Sequence, residues 1–123
     1  MDNVSLPHKD VFLSKDVLDK EKALSRVHHN AELLNRVITL FHNNLIEKKD
    51  LIENHLLNED WEALKVLAHS VKGSGLTIGA QQLGGVSSEM EKAADNKDAA
   101  LYKHLFEIFK EAVQIFKAQT NSL

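Results

Sequence analysis

Ala68-His69-Ser70-Val71-Lys72-Gly73-Ser74-Gly75-Leu76-Thr77-Ile78-Gly79-Ala80 is the stretch of this chain that decides the fold. Three of the five glycines lie in it, and the other two, Gly84 and Gly85, follow just behind. The one proline, Pro7, stands near the N-terminus. A sheet protein needs turn residues along its whole length. Breakers confined to one window fit long helices with a single unusual place, and that place is where function is expected.

Working outward, apolar residues recur at helical spacing on both sides of the window. Asp19 is a candidate N-cap for a short helix that turns Ala23, Leu24 and Val27 inward, and His28-His29-Asn30 interrupts the pattern. Asn30 can cap the next helix, whose stripe runs Leu34, Val37, Ile38, Phe41, Leu45, Ile52 and Leu56 to about Leu57. Asp60 can cap the histidine-bearing helix, with Trp61, Leu64, Leu67, Ala68 and Val71 inward and an end by about Ile78. The following helix buries Leu83, Val86, Met90, Ala93 and Ala94. After the polar turn at 95–98, the last presents Leu101, Leu105, Ile108, Ala112 and Ile115, widened by Phe106, Phe109 and Phe116. Short connections make consecutive helices antiparallel neighbours. The expected fold is all-α, an antiparallel up-down four-helix bundle with a short extra N-terminal helix. Residues 1–15 read as an N-terminal tail and 16–120 as one domain.

The 123 residues are 43% hydrophobic and 27% charged, a composition that suits one globular domain. Fifteen basic against eighteen acidic residues leave a net charge of −3, so no nucleic-acid or membrane-surface partner is expected. Without cysteine there are no disulfides, thiolate metal sites or cysteine nucleophiles. No apolar run approaches a membrane span or a signal peptide, and a cytoplasmic location is expected. The other histidines lack the spacing of a metal site.

On a helical wheel His69 falls roughly 130° from the apolar stripe, which exposes it. Lys72 and Gly73, three and four residues on, share its surface. Imidazole nitrogen is a good nucleophile towards phosphorus, and histidine can carry a covalent intermediate. Lys72 can offset the charge of a phosphoryl group, and Gly73 leaves room for it. Gly84, Ser87 and Glu91 form a stripe on the following helix. Its small residues permit close approach, so that Glu91 can hold one ring nitrogen of His69 and fix the tautomer. Lys65, four residues before His69, is a second nearby cation.

The motif Ala68-His69-x-x-Lys72-Gly73-Ser74, followed by Gly79-Ala80 and Leu83, resembles the signature of histidine-containing phosphotransfer (HPt) domains. The resemblance spans about residues 17–118. It implies that His69 is phosphorylated, that Lys72 stabilises the phosphoryl group, that Gly73 gives access, and that Glu91 is hydrogen-bonded to the histidine. The acidic residue is of the chemotaxis-kinase type, although Ser88 stands where that subfamily often has a second histidine. The implied role is a phosphorelay intermediate that takes a phosphoryl group from one receiver aspartate and passes it to another. It is a carrier, not an enzyme, with no cofactor or metal of its own and Mg²⁺ in the partner receiver. The implied partners are response-regulator receivers and a hybrid sensor histidine kinase, with this chain a monomer. Lys65, Gly73, Leu76 and Ser88 are assigned to the docking surface. The alternative is a non-catalytic helical adaptor that docks a partner through the same surface. The chain lacks a Walker-type or kinase glycine-rich loop, which disfavours an autonomous ATP-dependent enzyme.

Overall fold

The structure, a computed structural model, describes residues 6–121. They form six helices and, among the described residues, no strand: α1 (Asp10–Leu13), α2 (Lys20–Arg26), α3 (Ala31–Leu57), α4 (Trp61–Ile78), α5 (Gln81–Asp95) and α6 (Ala99–Thr120). The starts of α2, α3, α4 and α6 are set by side-chain caps. Asp19 accepts from the Lys22 N–H at 3.1 Å, Asn30 from Leu33 at 3.0 Å, Asp60 from Ala63 at 3.2 Å and Asp98 from Leu101 at 3.1 Å. Each satisfies a backbone donor that the first helical turn leaves unpaired.

The end of α4 is set by Gly79. Its φ of 86° lies in the left-handed region, and the N–H groups of Gly79 and Ala80 both return to the Gly75 carbonyl. That tight reversal leaves only Gly79 and Ala80 between α4 and α5. The Asp19 N–H donates to the Gly79 carbonyl at 2.8 Å, so the entry to α2 is pinned to the exit of α4.

The four long helices close a ring, with α3 on α4, α4 on α5, α5 on α6 and α6 back on α3. The stripes expected from the sequence fill its interior. Ile52, Leu64, Val86, Met90, Leu105, Phe109 and Ala112 have almost no exposed surface. Phe41 meets Phe116 edge-on at 5.3 Å, and Tyr102, inside, donates its hydroxyl hydrogen to the Leu64 carbonyl. Burial pushes the Tyr102 hydroxyl pKa well up, so it stays a donor.

Two short helices, not one, precede the ring, and the stretch expected to be a tail is partly docked. Residues 1–5 lie outside the described residues. Beyond them Phe12 is buried, with a ring carbon against the open side of Gly85 on α5. The Gln82 amide donates to the Leu13 and Lys15 carbonyls at 3.1 and 2.8 Å. His104 Nε2 meets the Pro7 carbonyl, and Lys9 faces Glu111 at 3.4 Å. A single buried phenylalanine contributes about 1.5–3 kcal/mol, enough to lay a short segment down once polar groups receive its carbonyls.

Backbone chemistry at the turns is directly testable. A β-carbon on Gly79 would stand 3.1 Å from the Asp19 carbonyl oxygen, on a backbone that already disfavours one. Gly79→Ala should lower unfolding free energy by on the order of 2 kcal/mol. Lys97, at φ 53°, is held in the left-handed region despite its side chain. Lys97→Gly should raise stability by up to about 1 kcal/mol. Urea unfolding of both variants checks the opposite signs.

Candidate functional site

The site is built on the facing sides of α4 and α5. A β-carbon on Gly75 would lie 3.4 Å from the Gly84 backbone nitrogen, and one on Gly84 would lie 3.3 Å from a Leu76 methyl. With Ser87 fully buried in the same seam, the two helices run close enough for a glutamate on α5 to reach the surface of α4.

Glu91 does so with both oxygens. Oε2 is 2.9 Å from His69 Nδ1, and Oε1 is 2.7 Å from Lys72 Nζ. The lysine ammonium is the main cause holding the carboxyl below its usual value, and the hydrogen bond to His69 acts in the same direction against partial burial. An ionised carboxylate only accepts, so Nδ1 carries the hydrogen. Nε2 is then the nitrogen with the free lone pair. The exposures divide by role: the His69 side chain is 65% exposed, whereas those of Lys72 and Glu91 are 29% and 20% exposed. The nucleophile stands out and its supports are tucked beneath it.

His69, Lys72 and Glu91 come together. Gly73 lies beside them with nothing within 4 Å of an added β-carbon, so its missing side chain leaves open space. Leu76, two turns beyond His69, is 53% exposed. Ser88, half-buried on α5, lines one cleft with Lys72 and Leu76. Lys65 points the other way: its ammonium bonds Asp95 at 2.9 Å, which raises its pKa, and it does not join the cluster. Gly75 and Gly79 serve close packing and helix termination. Among the described residues no three histidine, cysteine, aspartate or glutamate side chains gather as a metal site would need.

One part of the surroundings was not read from the sequence. A groove between α3 and α4 has His69, Gly73 and Thr77 on one wall and Leu40, Asn44 and Lys48 on the other. Leu40 is 68% exposed and lies off the buried stripe of α3. That offset is a visible signal, but the periodicity of α3 alone does not say that this edge of it faces the histidine.

Residues 36–119 match the family model of the Hpt domain. The chain belongs to the Hpt domain family. Members are phosphocarrier modules of two-component signalling, not catalysts in their own right, and their partners in phosphorelays are receiver domains and histidine kinases. The Hpt fold is shared with a solved structure, the HPT domain from the Hpt sensor hybrid histidine kinase from Shewanella. The two have a TM-score of 0.68 and 16% identity, over 87% of this chain and 96% of that one. No curated protein matches the chain. No helix among the described residues of this Hpt protein is long and apolar enough to cross a membrane.

The clamp on Glu91 carries a pH signature. Its folded-state pKa is depressed, so between the folded and unfolded values the unfolded chain binds more protons and stability rises with pH. The contribution is complete above the unfolded value of about 4.3 and is lost as pH falls through the folded one. Glu91→Gln should be less stable than wild type at pH 7, and the gap should shrink steadily below pH ~4. Urea midpoints across that range measure it.

Proposed function

We propose that His69 is the phosphorylated residue of this Hpt domain and that it shuttles a phosphoryl group between receiver aspartates. The single observation that carries this reading is the bond from Nδ1 to Glu91, which leaves the exposed Nε2 as the nucleophile. In the forward step the Nε2 lone pair forms the N–P bond as the P–O bond to the receiver aspartate breaks and its carboxylate leaves. No proton has to move. Nδ1 keeps its hydrogen on Glu91, whose negative charge offsets the positive ring of the product. The reverse step returns the phosphoryl group to an aspartate of a second receiver. Mg²⁺ is expected in the receiver, with no cofactor in this chain.

Lys72, on a flexible stem, can leave Glu91 Oε1 for a phosphoryl oxygen as charge builds there. Gly73 keeps the approach clear for the incoming domain. In this reading the ring of long helices is an antiparallel up-down bundle that works as a cytoplasmic monomer without nucleic acid, and a hybrid sensor kinase stands upstream. The non-catalytic adaptor differs in one respect: it takes up no phosphate.

Labelling from a phosphorylated receiver tests the assignment. An acid-labile, alkali-stable label is expected on the wild type and none on His69→Gln, with helix content unchanged, since an exposed side chain contributes little to stability. Labelling of His69→Gln at the normal level refutes the assignment. Lys72→Ala should slow single-turnover transfer by about 10- to 100-fold, or roughly 1.4–2.7 kcal/mol in the barrier, and Glu91→Ala by less. Gly73→Gln should stay folded, because its added side chain enters open space, and yet transfer poorly because it stands between the reacting groups.

A further inference from the structure

The charges around α4 are divided end from end. Near its start one cleft gathers Glu59, Asp60, Glu62 and Asp95 against Lys65 and Lys97, and Lys65 is already bonded to Asp95. Near its end, two clefts meet at the exposed Leu76. Lys15 and Lys72, the latter paired with Glu91, line one, and Lys22 and Asp19 line the other. Asp19 is the one carboxylate among these lining residues, against three lysines, and its Oδ1 accepts from the Lys22 backbone N–H. Lys15 and Lys22 are exposed, and neither is ion-paired among the described residues. Neither lies within residues 36–119, the part that the family model matches.

Lys15 is where it is because its segment is docked. Phe12 against Gly85 and the Gln82 amide on the Leu13 and Lys15 carbonyls hold the backbone beside α5. Lys22 is placed by the α2 cap and by the Asp19-to-Gly79 bond. Leu76 is about 10 Å along the helix from His69. An interface burying about 800 Å² per partner reaches on the order of 15 Å from its centre, so a partner centred on His69 covers Leu76 and its rim.

We infer that Lys15 and Lys22, with Leu76 between them, form the specificity rim on which the acidic face of a receiver domain docks, orienting it towards the C-terminal end of α4. This rests on the phosphotransfer reading. A receiver must hold Mg²⁺ and a phosphorylatable aspartate in a cluster of carboxylates, and such a face is drawn to the lysine end and repelled by the end that carries Glu59, Asp60 and Glu62. Rim charges act on encounter more than on the chemical step.

The test is transfer from a phosphorylated receiver domain that labels the wild-type chain, measured against receiver concentration. Lys15→Glu/Lys22→Glu should lower the second-order rate about 10-fold at low ionic strength and leave the saturated rate within two-fold. The loss should fade towards 0.5 M salt, where charges are screened within a few ångström. Lys103→Glu/Lys117→Glu, two exposed positions on α6, diagonal to α4, makes the same change in net charge and should leave both rates alone. An unchanged second-order rate in the double variant overturns the inference. So does a loss seen with Lys48→Glu, on the α3 side of His69, in place of the double variant. If no receiver labels the wild-type chain, phosphotransfer itself fails, an outcome distinct from both.

Discussion

Gly75 and Gly84 let two helix backbones touch, and the rest of the site hangs on that contact. At an ordinary interaxial distance, set by the side chains between two helices, a glutamate on α5 would reach toward α4 without arriving. With Gly75, Gly84 and the buried Ser87 in the seam, Glu91 arrives with both oxygens in bonding range. The left-handed turn at Gly79 belongs to the same constraint, because it returns the chain at once and sets the register of α5 against α4.

The clamp explains how a surface histidine becomes a defined nucleophile. An exposed imidazole in water exchanges tautomers freely. Here an ionised carboxylate holds one nitrogen as a donor, and a lysine keeps that carboxylate ionised. Each group is ordinary, and their arrangement selects Nε2. The cost of pairing the Lys72 and Glu91 charges is small because the cluster is only half-buried, with both side chains still partly in contact with water.

The N-terminal segment shows how a weakly patterned stretch acquires structure. Four residues of helix cannot hold themselves together in water. Phe12 supplies apolar burial on Gly85, and Gln82 and His104 receive the carbonyls that a docked strand of backbone would otherwise leave unpaired. Gln82 and His104 lie on α5 and α6, far along the chain, so the partners for this segment are not local. The strap places a lysine beside the site, which ties a peripheral element to the surface where function is proposed.

Much was legible in the sequence because its determinants are local. Caps at Asp19, Asn30 and Asp60, the stop at Gly79 and the 3.6-residue stripes each act within a few residues, and the helix limits follow from them. The exposure of His69 and its nearness to Lys72 and Gly73 also follow from the wheel of a single helix. Glu91 was within reach of such reasoning because small residues at 84 and 87 announce a close approach. The remainder depends on pairings between helices. Lys65 sits one turn from His69 yet turns to Asp95, thirty residues on, because the nearest carboxylate in space is on α5. Leu40 joins the rim of the histidine groove, and Phe12 is buried and not solvated, for the same reason. Helical periodicity says which face of a segment is apolar. Which neighbour covers that face, and which polar groups meet at its edge, is decided only when the helices pack in three dimensions.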